Sequence, residues 1–238
     1  MKFYESGDSS KPVIFLFPGT CCLYSSFDHV LDGLHSYFYT VTVSYDGFDP
    51  NEKTEFYSME DECEKIEQEI RKKHGGSIKA AYGCSLGGSF VSLLIQRKRI
   101  HIDHGIIGSS DMDEAGHLVA KIKSSMVVPF MYKMIHTGAL PKFMQKKLNK
   151  TDEVKKELYN GFLNMFGIGK GGNPWITKQS IYNQFYSDLV TKVQHGIDVP
   201  GTTIHVFYAT KMGEKYEKRY QEFRQIYPAL KPVFPHIQ

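Results

Sequence analysis

The sequence predicts an α/β fold in which helices flank a mostly parallel sheet, with a helical insertion late in the chain. Short apolar runs alternate with helical patterns as far as Gly108, an order that produces right-handed βαβ units. The alternation then stops, and helical patterns dominate until a strand-like run returns at Thr203. A length of 238 residues, of which 41% are hydrophobic, suits one large domain or one domain with an insertion.

The predicted strands are short runs of β-branched and aromatic residues. The first, Val13–Phe17, stops at Pro18-Gly19 and has the continuous apolar character of a strand buried on both faces. A helical stretch separates each of the first four runs from the next. The later runs occupy residues 39–45, 78–83, 102–108, 203–208 and 232–234.

The segment 58–73 illustrates the helices that are predicted between the strands. Ser58 is a candidate N-cap with Asp61 three residues later, acidic residues occupy the first turn, and basic residues occupy the last. Apolar residues, including Cys63, recur at helical spacing and form one buried stripe. Gly75 and Gly76 then end the helix, and Cys63 is interpreted as a core residue.

The long segment without strands is interpreted as a helical insertion in a single α/β domain. Helical patterns occupy residues 116–134, 141–149 and 151–166. We therefore assign 1–112 and 199–238 to the α/β core, and 113–198 to the insertion.

The charge, the cysteine content and the N-terminal sequence indicate which partners and which cellular compartment to expect. The net charge of +3 and the isoelectric point near 8.5 are too mild to indicate nucleic acid as a partner. Four cysteines form no metal, redox or disulfide pattern, and no ligand cluster has metal spacing. The N-terminus lacks the features of a secretion signal, and no apolar run is long enough for membrane insertion. We expect a cytoplasmic protein with no metal and no cofactor.

The segment Gly83-Cys84-Ser85-Leu86-Gly87 matches the pattern G-x-S-x-G. The preceding residues are predicted as a strand, and residues 89–96 as a helix. A serine on such a sharp strand-to-helix turn adopts a strained backbone that only small neighbours allow, and the strain presents its Oγ above the sheet. The helix that follows points its positive end at the same place.

These residues give the chain a resemblance to the α/β-hydrolase superfamily, with Ser85 as the nucleophile. The step Pro18-Gly19-Thr20 resembles the oxyanion-hole step of that superfamily, with proline in place of the commoner histidine. The resemblance implies that the backbone N–H of Thr20, or alternatively of Cys21, pairs with the N–H of Leu86 as oxyanion donors. It also implies that the insertion is the helical cap.

The resemblance further implies an acid and a histidine that follow the serine along the chain. The nearest carboxylate after the run at 203–208 is Glu214, and the rival acid is Asp111, with Asp113 as a third alternative. His236 is the only histidine beyond the last predicted strand, so the topology selects it as the general base. The alternative is that the base lies just past Gln238, where the superfamily normally continues into a closing helix.

The predicted function is that of a serine hydrolase that cleaves a carboxylic ester, or a related small acyl compound, through an acyl-enzyme. The large apolar side chains of the insertion predict an apolar acyl group of small to moderate size. One alternative is a non-catalytic small-molecule binding protein on the same fold, which the missing Gly-x-x-Asp pattern favours. Another is an acyltransferase. The oligomeric state stays open, with a homodimer as one alternative.

Overall fold

The computed structural model describes residues 1–110, 114–150, 153–168, 171–194 and 196–207. In these ranges the strands form one six-stranded sheet. The strands are β1 Lys2–Ser6, β2 Val13–Phe17, β3 Tyr39–Ser44, β4 Ser77–Cys84, β5 His101–Gly108 and β6 Thr203–Phe207. The helices are α1 Asp28–His35, α2 Met59–His74, α3 Leu86–Arg97, α4 His117–Thr137, α5 Lys142–Asn149, α6 Glu153–Met165 and α7 Lys178–Val190, and a short 3-10 helix spans Tyr24–Phe27.

The sheet is mostly parallel, as the sequence predicts. Its strand order is β1-β3-β2-β4-β5-β6, and every pairing is parallel except that of β1 with β3. The run at 232–234 lies outside the described residues. Sequence analysis missed β1, because Lys2–Ser6 carries charged and polar residues at the edge of the sheet and lacks the apolar run that marks the inner strands.

The predicted helix boundaries are confirmed to within a few residues. Helix α2 begins after Ser58, whose side chain accepts a hydrogen bond from the N–H of Asp61, and ends at Gly75, which has a φ of 62°. Cys63 is fully buried on its inner face. A helical stretch was predicted where α1 lies, though without bounds, whereas α7 was not predicted, and α3 begins three residues earlier than predicted.

Both faces of β2 are buried, which explains its unbroken apolar sequence. Phe15 and Phe17 point into the larger core cluster, which also holds apolar residues of α2 and α3. Ile14 and Leu16 point to the other face and join a smaller cluster with α1. Each such side chain stabilises the fold by about 2 kcal/mol through its burial.

A hydrogen bond joins the residue before α4 to the end of α7. The N–H of Ala115, just before α4, donates a hydrogen bond of 2.8 Å to the carbonyl of Leu189, in the last turn of α7. Helices α4 and α7 also pack against each other. The division of the chain into core and insertion at residues 113 and 198 stays a prediction.

A buried charge cluster lies where β3 meets α2. The carboxylate of Glu62 is fully buried. It accepts a hydrogen bond of 3.0 Å from the N–H of Asp46 and one of 2.8 Å from Lys65 Nζ. Lys65 also pairs with the side chain of Asp46. Burial, with a further contribution from Asp46, raises the pKa of Glu62 to about 7.

The raised pKa of Glu62 predicts a pH-dependent stability. Between its ordinary value of 4.5 and about 7, folded Glu62 keeps a proton that the unfolded chain has released, so the free energy of unfolding falls as pH rises. Glu62→Gln removes this fall. We expect the variant to gain on the order of 2 kcal/mol relative to wild type between pH 5 and pH 7.5, measured by urea unfolding.

Glu64→Gln is the control for this prediction, because Glu64 lies on the same helix with a half-exposed side chain. The control should keep the wild-type pH profile. An unfolding profile of Glu62→Gln that runs parallel to wild type would contradict the raised pKa.

Candidate active site

Ser85 occupies the single-residue turn between β4, which ends at Cys84, and α3, which begins at Leu86. Its backbone has a φ of 54° and a ψ of −123°, in the half of conformational space that L-residues seldom enter. Its N–H donates to the carbonyl of Gly108 at 2.9 Å, and its own carbonyl accepts from the N–H of Gly88 at 2.8 Å. These bonds hold the strained turn in place, and the side chain is exposed.

The glycines that flank Ser85 are required by close backbone contacts. A Cβ on Gly83 would lie 2.0 Å from the carbonyl carbon of Gly87, and a Cβ on Gly87 would lie 2.1 Å from the carbonyl oxygen of Phe17. No side chain fits at either distance. The start of α3 is therefore pressed against the end of both β4 and β2.

This close packing brings the loop after β2 beside Ser85. A Cβ on Gly19 would lie 3.6 Å from the Cβ of Ser85 and 3.3 Å from the carbonyl oxygen of Cys84. Thr20 follows Gly19 and is half-buried. Among the described residues, the backbone N–H groups of Thr20 and Leu86 donate no hydrogen bond.

The other candidate donor, the N–H of Cys21, is already engaged. Cys21 is buried with a φ of 60°, and its N–H donates to Oε1 of Gln184 at 2.6 Å. Gln184 is a fully buried residue of α7. This bond fixes the backbone that immediately follows Thr20, which favours Thr20 over Cys21 as the free donor.

Gln184 belongs to a polar stripe along α7 that sequence analysis missed. The stripe consists of Ser180, Gln184 and Ser187, which are all buried. Ser180 Oγ accepts from the N–H of Phe56 at 3.2 Å, and Ser187 Oγ accepts from the N–H of Met59 at 2.7 Å. A polar pattern at helical spacing predicts an exposed face, so no sequence signal could have placed these side chains against the loops of the core.

The cysteines near Ser85 are neutral thiols. Burial raises the pKa of Cys21 well above its usual range and that of Cys22 to about 12. Burial also raises the pKa of Cys84. Because the thiolate is the reactive form of cysteine, these groups are poor nucleophiles at neutral pH, and Ser85 is the exposed nucleophile candidate at this turn.

The remaining predicted site residues are the candidate acids and the candidate base. Asp111, Asp113, Glu214 and His236 lie outside the described residues, so the acid and the base stay predictions. In the described part of the chain, no group of three or more His, Cys, Asp or Glu side chains is placed to hold a metal ion.

A cavity of about 490 Å³ lies between the α4–α5 loop and α6. Leu140, Gln145, Asn160 and Leu163 are among the residues that line it, and Ser85 is not. This cavity is therefore not the acyl pocket that the sequence predicts beside the serine.

Comparison with known proteins identifies the fold. No sequence-family model matches the chain, and no curated protein matches it. A solved structure assigned to the α/β-hydrolase family, from Desulfitobacterium hafniense, is 14% identical with a TM-score of 0.60, over 94% of this chain and 99% of that chain. A thermophilic esterase from Thermogutta terrifontis is 12% identical with a TM-score of 0.61, over 94% of this chain and 92% of that one.

The chain has the α/β-hydrolase fold. A third similar structure is that of 1H-3-hydroxy-4-oxoquinoline 2,4-dioxygenase, which is 14% identical with a TM-score of 0.63, over 93% of this chain and 82% of that chain. The fold thus hosts more than one reaction, and the function must be argued from the site.

Throughout the described ranges, each helix is too short or too polar to cross a membrane.

The contact at Gly87 predicts a strong effect of one methyl group. Gly87→Ala forces a Cβ against the carbonyl of Phe17, and we expect it to lower the free energy of unfolding by about 3 kcal/mol. Gly33→Ala is the control, because a Cβ there meets nothing within 4 Å. The control should be neutral or stabilising by up to about 1 kcal/mol. Urea unfolding measures both, and equal effects of the two changes would contradict the close contact.

The bond between Gln184 and Cys21 predicts a positioning role for Gln184. Gln184→Ala leaves the buried N–H of Cys21 without its partner, and we expect stability to fall by about 2 kcal/mol. We also expect the rate of Ser85 labelling by a fluorophosphonate to fall, since the neighbouring Thr20 is no longer held. Gln179→Ala, on the exposed face of the same helix, should change neither value. Normal labelling in a destabilised Gln184→Ala would limit Gln184 to a structural role.

Proposed function

We propose that this protein is a serine hydrolase in which Ser85 attacks the carbonyl carbon of a carboxylic ester or a related small acyl compound. The observation that carries the proposal is the exposed Ser85 side chain on a left-handed turn at the N-terminus of α3. A strained, exposed serine between a strand and a helix is the arrangement that a nucleophile elbow requires.

The proposed oxyanion donors are the backbone N–H groups of Thr20 and Leu86. Attack by Ser85 Oγ turns the carbonyl oxygen into an oxyanion, which needs two donors that are fixed before the reaction begins. The N–H of Leu86 belongs to the first turn of α3, where the helix dipole adds positive potential. The position of Gly19, where a Cβ would lie 3.6 Å from the Cβ of Ser85, supports the choice of the neighbouring Thr20 N–H as the second donor.

A general base must take the proton from Ser85, because a serine hydroxyl is a weak nucleophile at neutral pH. His236 is proposed for this role, oriented by Glu214 or Asp111. The base passes the proton to the leaving alcohol as the acyl-enzyme forms. It then takes a proton from the water that attacks the acyl carbon, and it gives that proton to Ser85 Oγ as the acid leaves.

The proposed substrate is an ester with a small to moderate apolar acyl group. The similarity to the esterase from Thermogutta terrifontis supports ester chemistry. The apolar side chains of residues 113–198, proposed as the helical cap, support an apolar acyl group. All four cysteines are free thiols, which suits the cytoplasmic location that we propose.

The proposed function is tested by labelling with a fluorophosphonate and by hydrolysis of p-nitrophenyl esters with acyl chains of increasing length. Ser85→Ala should abolish labelling and lower kcat/KM by about 10³-fold or more. Ser109→Ala is a matched control, because Ser109 is also exposed and also has a positive φ, 48°, at the end of the neighbouring strand β5. The control should keep both activities.

Folded wild-type protein that resists the probe would contradict the proposed function. Saturable binding of the esters without turnover, unchanged in Ser85→Ala, would instead support the non-catalytic binding protein. Turnover that requires an added alcohol or thiol acceptor would indicate acyl transfer rather than hydrolysis.

A further inference from the structure

Helix α4 exposes a row of large apolar side chains that the fold does not use. Leu118, Ile122, Met126 and Phe130 follow one another at intervals of four residues, so they lie on one side of the helix. Leu118 is 72% exposed and Met126 is 75% exposed. We call these four residues the outer face of α4.

The opposite side of α4 already supplies the contacts that the fold needs. Ala120, Ser124, Val128 and Ile135 are buried, on the side where α4 packs against α7. A helix at the surface of a globular protein normally carries one apolar face and one polar face. Helix α4 instead has large apolar side chains on its outer face as well, and within the described part of the chain these side chains stay exposed.

The charged side chains of α4, α5 and the loop between them are all of one sign. From Ala115 to Lys150 the sequence contains seven lysines and no aspartate or glutamate, although the rest of the chain has more acidic than basic residues. Lys121, Lys123 and Lys133 of α4 are exposed. Within the described part of the chain they form no ion pair with a carboxylate.

Helix α5 continues the same combination of apolar and basic side chains. Phe143 is 67% exposed, and Lys142 and Lys146 beside it are exposed as well. The positive charge that borders α4 is therefore extended by the next helix, together with one more large apolar group.

We propose that the outer face of α4, with the start of α5, docks on an anionic lipid surface. The four side chains span twelve residues, or about 18 Å along the helix, which is far short of the roughly 30 Å thickness of a bilayer core. The helix therefore lies in the plane of the interface, with its apolar row among the acyl chains and its lysines at the phosphates.

Charge complementarity selects a lipid surface over a second copy of this chain. A twofold dimer through this face would bring the lysines of both copies together with no carboxylate between them. An anionic membrane supplies the opposite charge and, unlike a soluble acidic partner, receives a continuous row of aliphatic side chains without a preformed groove.

The experiment is sedimentation with sucrose-loaded vesicles of phosphatidylcholine, with and without about 30% phosphatidylserine. We expect wild type to bind the mixed vesicles, to bind the neutral vesicles far less, and to dissociate as salt rises. Ile122→Ser with Met126→Ser should lower the partition coefficient on mixed vesicles about tenfold or more. The matched control is Val30→Ser with Tyr37→Ser, an exposed apolar pair at α1 that should bind as wild type does.

A second pair of variants tests the charges separately. Lys121→Gln with Lys123→Gln should lose most of the preference for phosphatidylserine. Lys53→Gln with Lys72→Gln, which are also exposed, should keep that preference. Ser85→Ala should bind vesicles as wild type does, so failure of the docking proposal and failure of the proposed hydrolase are distinguishable.

Three results would overturn the docking proposal. The first is that wild type does not bind the mixed vesicles, and the second is that the Ile122→Ser/Met126→Ser variant binds them as well as wild type does. The third is a wild-type dimer that this variant converts to a monomer, because that result would assign the face to a second copy. Circular dichroism checks that the variants fold. If the double variant does not fold, Leu118→Ser in the first turn of α4 carries the same comparison.

Discussion

The site depends on the absence of two side chains. Gly83 and Gly87 allow the end of β4, the start of α3 and the end of β2 to meet at distances that no Cβ would permit. These backbone contacts hold Ser85 at its φ of 54°. They also hold the loop with Gly19 and Thr20 beside the serine. Strain at the serine is thus sustained by packing around it, which is the only way such strain persists.

The loops that surround this contact are held from outside by α7. Its buried polar stripe accepts the N–H groups of Cys21, Phe56 and Met59, and Asn183 donates to the carbonyl of Phe56 at 2.7 Å. Loops have backbone groups that no strand or helix satisfies, and leaving them unpaired in a core is costly. A helix from late in the chain therefore satisfies backbone groups of loops formed much earlier.

Local patterns predicted the inner strands and the turn at Ser85, whereas long-range hydrogen bonds were not predictable. The strand Val13–Phe17 and the turn at Ser85 could be predicted, because burial and close backbone contact select the residue types within a few positions of each other. Gln184 does not, because its partner is 163 residues away and a polar residue in a helix normally faces water. The assignment of His236 and its acid depends on topology rather than on a local pattern, and it lies outside the described residues.

The hydrogen bond between Ala115 and Leu189 has an evolutionary consequence. The bond joins the residue before α4 to the last turn of α7 and so closes a loop of chain, and lengthening a closed loop of this size costs little free energy. Insertions and deletions between α4 and α7 are therefore expected to be tolerated, whereas a side chain added at Gly83 or Gly87 meets backbone atoms at about 2 Å.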